Sequence, residues 1–196
     1  MEVDRRIYAV DVHEHNDGLE GHLLGWIHEI RDLGSLVFLI LRDKTGTCQV
    51  SIRRDALTKN DLSELDKITK ESVVKVNGVV KAEPKSRLGA ELKASSILVL
   101  NRAVEPLPYD VVGKVKATMT TRLENRILDL RKPENRAIFL IGDTVLNACR
   151  EYLRSLGFVE VRTPRIIATA TEGGASLFEV KYFDKVAYLA QSPQLY

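Results

Sequence analysis

Leu36-Val37-Phe38-Leu39-Ile40-Leu41, then Arg42-Asp43-Lys44-Thr45-Gly46, then Thr47-Cys48-Gln49-Val50-Ser51-Ile52 is the stretch on which the fold turns. The first piece is a short apolar run rich in β-formers. The second is a turn whose glycine tolerates a positive φ. The third alternates apolar and polar residues, as the return strand of a hairpin does. Working outward, Asp61-Leu62-Ser63-Glu64-Leu65-Asp66-Lys67-Ile68 spaces Leu62, Leu65 and Ile68 as one helical face, with Asn60 or Asp61 as the expected N-cap. Two further strands are predicted over 72–80 and 91–99, separated by the turn Ser86-Arg87-Leu88-Gly89. With the strand before the hairpin, the order is three strands, a short helix and two strands. That is the layout of an OB-fold, a five-stranded Greek-key barrel that commonly binds oligonucleotides on one face. Residues 20–104 are expected to complete this barrel and to fold alone.

Pro106 and Pro108 break the β pattern, and 105–132 reads as a hinge that contains a helical stretch from Thr120 to Leu130. Pro133 suits the first turn of a longer helix, which carries Ile138, Ile141, Val145, Ala148, Cys149 and Tyr152 on one apolar stripe. Gly157 is placed to end it. A strand is expected over Phe158-Val159-Glu160-Val161, and a hairpin over 177–190 turned at Phe183-Asp184-Lys185. The fold class predicted is therefore α+β, divided as a barrel (1–104), a hinge (105–132) and the start of a second domain (133–196).

The chain is 44% hydrophobic and 29% charged with a net charge of +2, the composition of an ordinary globular protein. No apolar run is long enough to span a bilayer, and Met1-Glu2-Val3-Asp4-Arg5-Arg6 lacks the apolar core of a signal peptide. Cys48 and Cys149 match no metal or redox spacing and read as reduced, buried thiols. His13 and His15 have no third fixed ligand in the sequence, so no metal site is predicted. The balanced charge neither demands nor excludes nucleic acid. Residues 113–132, however, gather Lys114, Lys116, Arg122, Arg126, Arg131 and Lys132 against Glu124 and Asp129. That segment is either a backbone-phosphate contact or a solvated helix face.

Three motifs carry a specific resemblance. Gly157-Phe158-Val159-Glu160-Val161-Arg162-Thr163-Pro164 resembles motif 1 of class II aminoacyl-tRNA synthetases. Thr169-Ala170-Thr171-Glu172-Gly173-Gly174-Ala175-Ser176-Leu177-Phe178 and Leu189-Ala190-Gln191-Ser192-Pro193-Gln194-Leu195-Tyr196 resemble the aspartyl enzymes of the archaeal and eukaryotic type. In the front half, Gly25-Trp26-Ile27-His28-Glu29-Ile30-Arg31-Asp32-Leu33-Gly34 resembles the first anticodon-binding strand of that family. Asp129-Leu130-Arg131-Lys132-Pro133-Glu134-Asn135-Arg136 resembles its domain junction. The resemblance implies an ATP-dependent aspartate–tRNA ligase, cytoplasmic and homodimeric, with aspartate tRNA, L-aspartate, ATP and Mg²⁺ as partners. A sister asparaginyl enzyme, or a free tRNA-binding OB-fold module, are the alternatives. Pro193 argues against the asparaginyl family, which tends to have serine there.

The same resemblance names site residues. Arg31, Phe38, Gln49 and Glu91 match positions that read the anticodon. Chemically, a ring stacks on an unstacked base, a glutamine amide serves a pyrimidine edge, a guanidinium makes a paired contact and a carboxylate accepts from an amino group. On burial frequencies alone Phe38 is a core residue, and Arg31 and Glu91 are surface charges. Trp26 is expected in the core. His28 with Pro84 resembles the type that is strict for aspartate tRNA. Glu172, beside Gly173-Gly174, matches a mobile loop over the amino acid, although the composition alone describes an exposed turn. Ser192 and Gln194 match pocket positions that touch aspartate, and Pro164 lies in the family's dimer interface. The lysine and the motif 2 and 3 arginines of the family lie beyond Tyr196. No catalytic residue is therefore assigned, and the 196-residue chain is expected to bind no ATP alone and to make no aspartyl-adenylate.

Overall fold

The computed structural model describes residues 5–113, 116–168 and 177–193. Five strands close a barrel in the order β1 (Glu20–Asp32), β2 (Leu36–Arg42), β3 (Thr47–Arg53), β5 (Ala90–Asn101), β4 (Val73–Ala82). All pairings are antiparallel except β3 with β5. The helix α1 (Lys59–Leu65) connects β3 to β4. This is the predicted OB-fold, and it shows most plainly on β2, β3 and β4, whose side chains sort to the two faces with period two. On β2, Val37, Leu39 and Leu41 are buried in the core, while Leu36, Phe38 and Ile40 alternate to the outer face and are only half-buried. On β3, Cys48, Val50 and Ile52 point inward and Gln49, Ser51 and Arg53 outward.

The long strand β1 serves two neighbours. Its first half pairs with β4 and its second half with β2. Gly25 sits where the strand turns from one to the other. A Cβ there would lie 2.4 Å from the Arg42 carbonyl oxygen, so only glycine lets the strands approach. A bulge follows at once: Ile27 faces Leu41 and Glu29 faces Ile40, which leaves His28 as the extra residue. Bulges re-aim side chains, and this one sets His28 apart from the alternation.

Residues before β1 belong to the barrel, contrary to the expectation that 20–104 is complete. Ile7, Ala9 and Val12 are fully buried in the barrel core. The tail is docked by backbone bonds between Ile7 and His22 and between His22 and Arg5, each 2.9 Å. The turn residue Asp43 also accepts from the Ala9 amide at 2.8 Å. The short helix starts earlier than predicted. Thr58 is the N-cap, its hydroxyl accepting from the Asp61 amide, and the Asp61 carboxylate instead accepts from the Ile97 amide on β5.

The chain divides into two compact units, the first ending at Pro133. Segment 105–132, read from the sequence as a hinge, belongs to the first. Its helical stretch is split at Asn125 into α2 (Met119–Glu124) and α3 (Arg126–Asp129). Asp129 is buried and accepts from Arg122, Arg126 and the Tyr109 hydroxyl. The Arg122 guanidinium foremost holds its carboxyl below the usual carboxylate range. The basic residues Arg122 and Arg126 are thus committed to a structural carboxylate.

In the second unit α4 (Pro133–Ser155) ends as predicted. Gly157 adopts φ +85°, its amide bonds to the Arg154 carbonyl and the Phe158 amide to that of Leu153, a Schellman closure. The strand expected over 158–161 does not form. That stretch has no ladder partner among the described residues, and a strand is defined by its neighbour. A three-stranded sheet forms instead, in the order β6 (Ile166–Ile167), β8 (Lys185–Leu189), β7 (Glu179–Tyr182). Its β7–β8 hairpin turns at Phe183, with φ +53°. Cys149 is exposed, against expectation, whereas Cys48 is buried and desolvation pushes its thiol up to about 12. No helix among the described residues is long and apolar enough to cross a membrane.

Candidate nucleic-acid interface

The outer face of β2, β3 and β5 forms a groove of roughly 550 Å³. Phe38, Gln49, Ser51 and Glu91 line it, with Arg53, Lys85 and Lys93 among the residues around them. Strand register brings them together: Phe38 faces Ser51 across β2–β3, and Ser51 faces Lys93 across β3–β5. Phe38 is not a core residue. The alternation that buries Val37 and Leu39 turns its ring outward, half-buried, into the lining of the groove. Such a half-buried ring in an open groove is what base stacking needs.

Glu91 is 5% exposed, and its carboxylate is held at both oxygens. The Gln49 side-chain amide donates to one at 2.9 Å and the Ser51 hydroxyl to the other at 2.7 Å. Each oxygen keeps a further lone pair, and the Gln49 carbonyl oxygen keeps its acceptor capacity. The groove therefore presents an aromatic face beside a fixed set of acceptors, with exposed cations around them.

A second recess of roughly 380 Å³ adjoins the first and shares Gln49 and Lys85 with it. Arg31 and His28 line it, together with Arg87 and Ser86 from the β4–β5 loop. Arg31 pairs in register with Phe38 and is bonded to Glu29 at 3.1 Å. Its side chain is 63% exposed, so exchanging Glu29 for a ligand costs little. Pro84 is exposed in the same loop. His28 accepts at Nδ1 from Arg42, 3.0 Å away, which fixes the neutral tautomer protonated at Nε2. Burial chiefly, and then the Arg42 charge, hold its pKa below the ordinary histidine value. The four predicted base-reading positions thus line two adjoining recesses of one face.

Joined to the second recess through the His28–Arg42 contact is a buried ion cluster that the sequence did not reveal. Glu71, at φ +65°, accepts from both Arg42 and Arg131 through one carboxylate oxygen, and its other oxygen is buried without a partner. Trp26, expected in the core, is half-buried against the guanidiniums of these two arginines, 6.0 and 5.1 Å from its ring centroid. Ser51, Lys85 and Lys93 were also missed as groove residues. The signal for Ser51 was available, since it stands two residues from Gln49 on an alternating strand. His13, Glu14 and His15 lie close enough to suggest metal ligands, Glu14 being the third group not anticipated. The two rings, however, stack nearly parallel at 4.7 Å, and His13 Nδ1 accepts from the His15 amide.

In the second unit a recess of roughly 350 Å³ is lined by Thr163–Arg165 and Leu189–Pro193. It brings Ser192 and Pro164 together, because β6 and β8 pair and the Ala190 amide bonds to the Arg165 carbonyl. Glu172 and Gln194 lie outside the described residues.

Residues 22–100 match the family model of the OB-fold nucleic acid binding domain, and residues 118–196 that of the class II tRNA synthetases (D, K and N). An aspartate–tRNA(Asp/Asn) ligase of Methanopyrus kandleri is 49% identical over 96% of this chain. An aspartate–tRNA(Asp) ligase of Thermococcus kodakarensis is 46% identical over 98%. The chain is similar to the N-terminal part of archaeal-type aspartyl-tRNA synthetases. It spans 44% of the length of each of these two relatives. Among solved structures, asparaginyl-tRNA synthetase of Pyrococcus horikoshii superposes with a TM-score of 0.87 at 34% identity, covering 98% of this chain and 44% of that one. An asparaginyl enzyme thus shares this fold, so shape alone does not mark the chain as aspartyl. The aspartyl-tRNA synthetase relatives include names with one tRNA and names with two, at similar identity.

Proposed function

We propose that the barrel face holds the anticodon arm of aspartate tRNA, as part of an enzyme that joins L-aspartate to that tRNA at the expense of ATP. The observation that carries this reading is the groove itself, where an outward Phe38 stands beside a Glu91 carboxylate held by Gln49 and Ser51. An anticodon loop offers unstacked bases, and this face offers one surface for stacking and acceptors for an amino edge. Phe38 stacks on a base, Gln49 and Glu91 address Watson–Crick edges, and Arg31 reaches a base or phosphate from the adjoining recess. Lys85 and Lys93 supply sequence-independent attraction.

In the second unit, Ser192 contributes to the aspartate pocket, with Glu172 and Gln194 as its proposed companions. The recess around Ser192 has Arg165 among its lining residues and, among the described residues, no carboxylate. That donor set does not fit Mg²⁺–ATP, and no step through the nucleotide is assigned to these residues. The α4 helix carries exposed apolar side chains, among them Ile138, Ile141, Val145 and Tyr152. A surface of that kind is covered in a working protein, and a second copy of the chain at α4 and Pro164 is the occupant proposed.

The test is a titration of the 196-residue chain with aspartate tRNA and with the same tRNA carrying another anticodon. Binding that follows the anticodon supports the reading, and equal binding of both removes it.

A further inference from the structure

We infer that Ser51 is a positioning residue for base discrimination: its hydroxyl fixes the Glu91 carboxylate in the orientation that selects a base carrying an exocyclic amino group. This rests on the groove being the anticodon site.

A glutamate on a strand has a terminal torsion with a broad minimum, so an unrestrained carboxylate sweeps its lone pairs across the groove. Here the rotation is stopped at both ends. Ser51 Oγ donates to one oxygen at 2.7 Å, and Gln49 Nε2 to the other at 2.9 Å. The two restraints are unequal. Ser51 is 8% exposed, and its short side chain stands on a strand paired on both sides, with Phe38 through β2 and with Lys93 through β5. Gln49 is longer, half-buried and shared with the second recess, so a ligand can draw it away. Ser51 is the anchor that remains when Gln49 engages a base.

The consequence is chemical. The hydroxyl proton is spent on Glu91, so what faces the ligand is acceptor capacity. Cytosine presents an amino donor where uracil presents a carbonyl acceptor. A fixed carboxylate rewards the first and opposes the second. A carboxylate free to rotate keeps the attraction in part but turns away from the carbonyl, and discrimination falls more than affinity.

The experiment uses the 196-residue chain and two RNAs, the anticodon stem–loop of aspartate tRNA and the same hairpin with its anticodon cytosine replaced by uracil. The wild-type chain prefers cytosine by about 5- to 150-fold. Ser51→Ala lowers that ratio by about 3- to 10-fold, the size of one lost hydrogen bond. Ser51→Thr, which keeps the hydroxyl on a residue well suited to a strand, retains it. Loss of affinity for both RNAs by the same factor in Ser51→Ala would show a merely structural role and overturn the inference. So would an unchanged ratio, or a Thr variant as indiscriminate as the Ala variant. Glu91→Gln separates this from the parent reading. If Glu91→Gln lowers the ratio and Ser51→Ala does not, only the role of Ser51 fails; if both leave it unchanged, Glu91 reads no base there and the groove assignment fails with it.

Discussion

Ile7→Ala removes a side chain that is 1% exposed in the barrel core, in a segment outside the predicted strands and helices. Three carbons are lost, about 2.4 kcal/mol at ~0.8 kcal/mol per buried methylene. A rigid site adds a cavity cost and brings such substitutions to as much as ~5 kcal/mol. This site is only partly rigid. Ile7 packs against Gly21, where a Cβ would lie 3.1 Å from its Cγ2, and the tail is pinned at the Ala9 amide by Asp43. The tail itself is a short segment, a β-bridge at Arg6 followed by a 3₁₀ turn over Ala9–Asp11, that can settle inward. The expected loss is therefore about 2–3 kcal/mol. Trp26 is the only tryptophan and lies on β1, so its fluorescence during urea denaturation reports the barrel and not the second unit. A shift below about 0.5 kcal/mol, the scale of a surface substitution, would refute the docked tail. So would a chain lacking residues 1–12 that unfolds at the same urea concentration as the parent.

Three further outcomes follow from the same structure. Gly25→Ala drives a Cβ to 2.4 Å from the Arg42 carbonyl oxygen, and a backbone neighbour cannot move aside, so the urea midpoint falls by an amount worth about 1–3 kcal/mol. Arg42→Ala leaves Glu71 with one cation and His28 Nδ1 without its donor; breaking this buried cluster costs about 3 kcal/mol in the same assay, and a neutral result would mean the ions are not coupled. His28 has a lowered pKa in the fold, so the unfolded chain takes up the proton first as pH falls. Stability is therefore flat above about pH 6.5 and declines below it until the folded pKa is reached, and His28→Gln flattens that decline.

The barrel was legible because its strands obey a period of two, and hydrophobic alternation along β2 and β3 sorts their faces without any tertiary information. The same alternation already placed Phe38 opposite Val37 and Leu39. Frequencies of burial pull a phenylalanine inward, and here register decided against them. The tail was illegible because three apolar residues, Ile7, Ala9 and Val12, follow no regular period and are held by a distant turn carboxylate. Thr58 lost its place as cap to Asn60 and Asp61 in the sequence reading because all are good caps. What settled it was that Asp61 is wanted by the Ile97 amide, a contact thirty-six positions away. The ion cluster at Glu71 joins residues from β1, β2 and the segment after α3, and no local pattern foretells such a meeting. The anticodon-face residues came from family resemblance and then acquired geometry. Glu172 and Gln194, proposed for the aspartate pocket, come from the resemblance and lie outside the described residues.

The ring of Phe38 bears most directly on the proposed anticodon face. In a titration of the 196-residue chain with the anticodon stem–loop of aspartate tRNA, Phe38→Ala is expected to weaken binding by about 1–3 kcal/mol, the worth of one base–aromatic stack, while circular dichroism stays that of the folded barrel. Unchanged affinity in a folded variant would contradict the assignment of this face to the anticodon, and a variant that unfolds would mean that Phe38 belongs to the core.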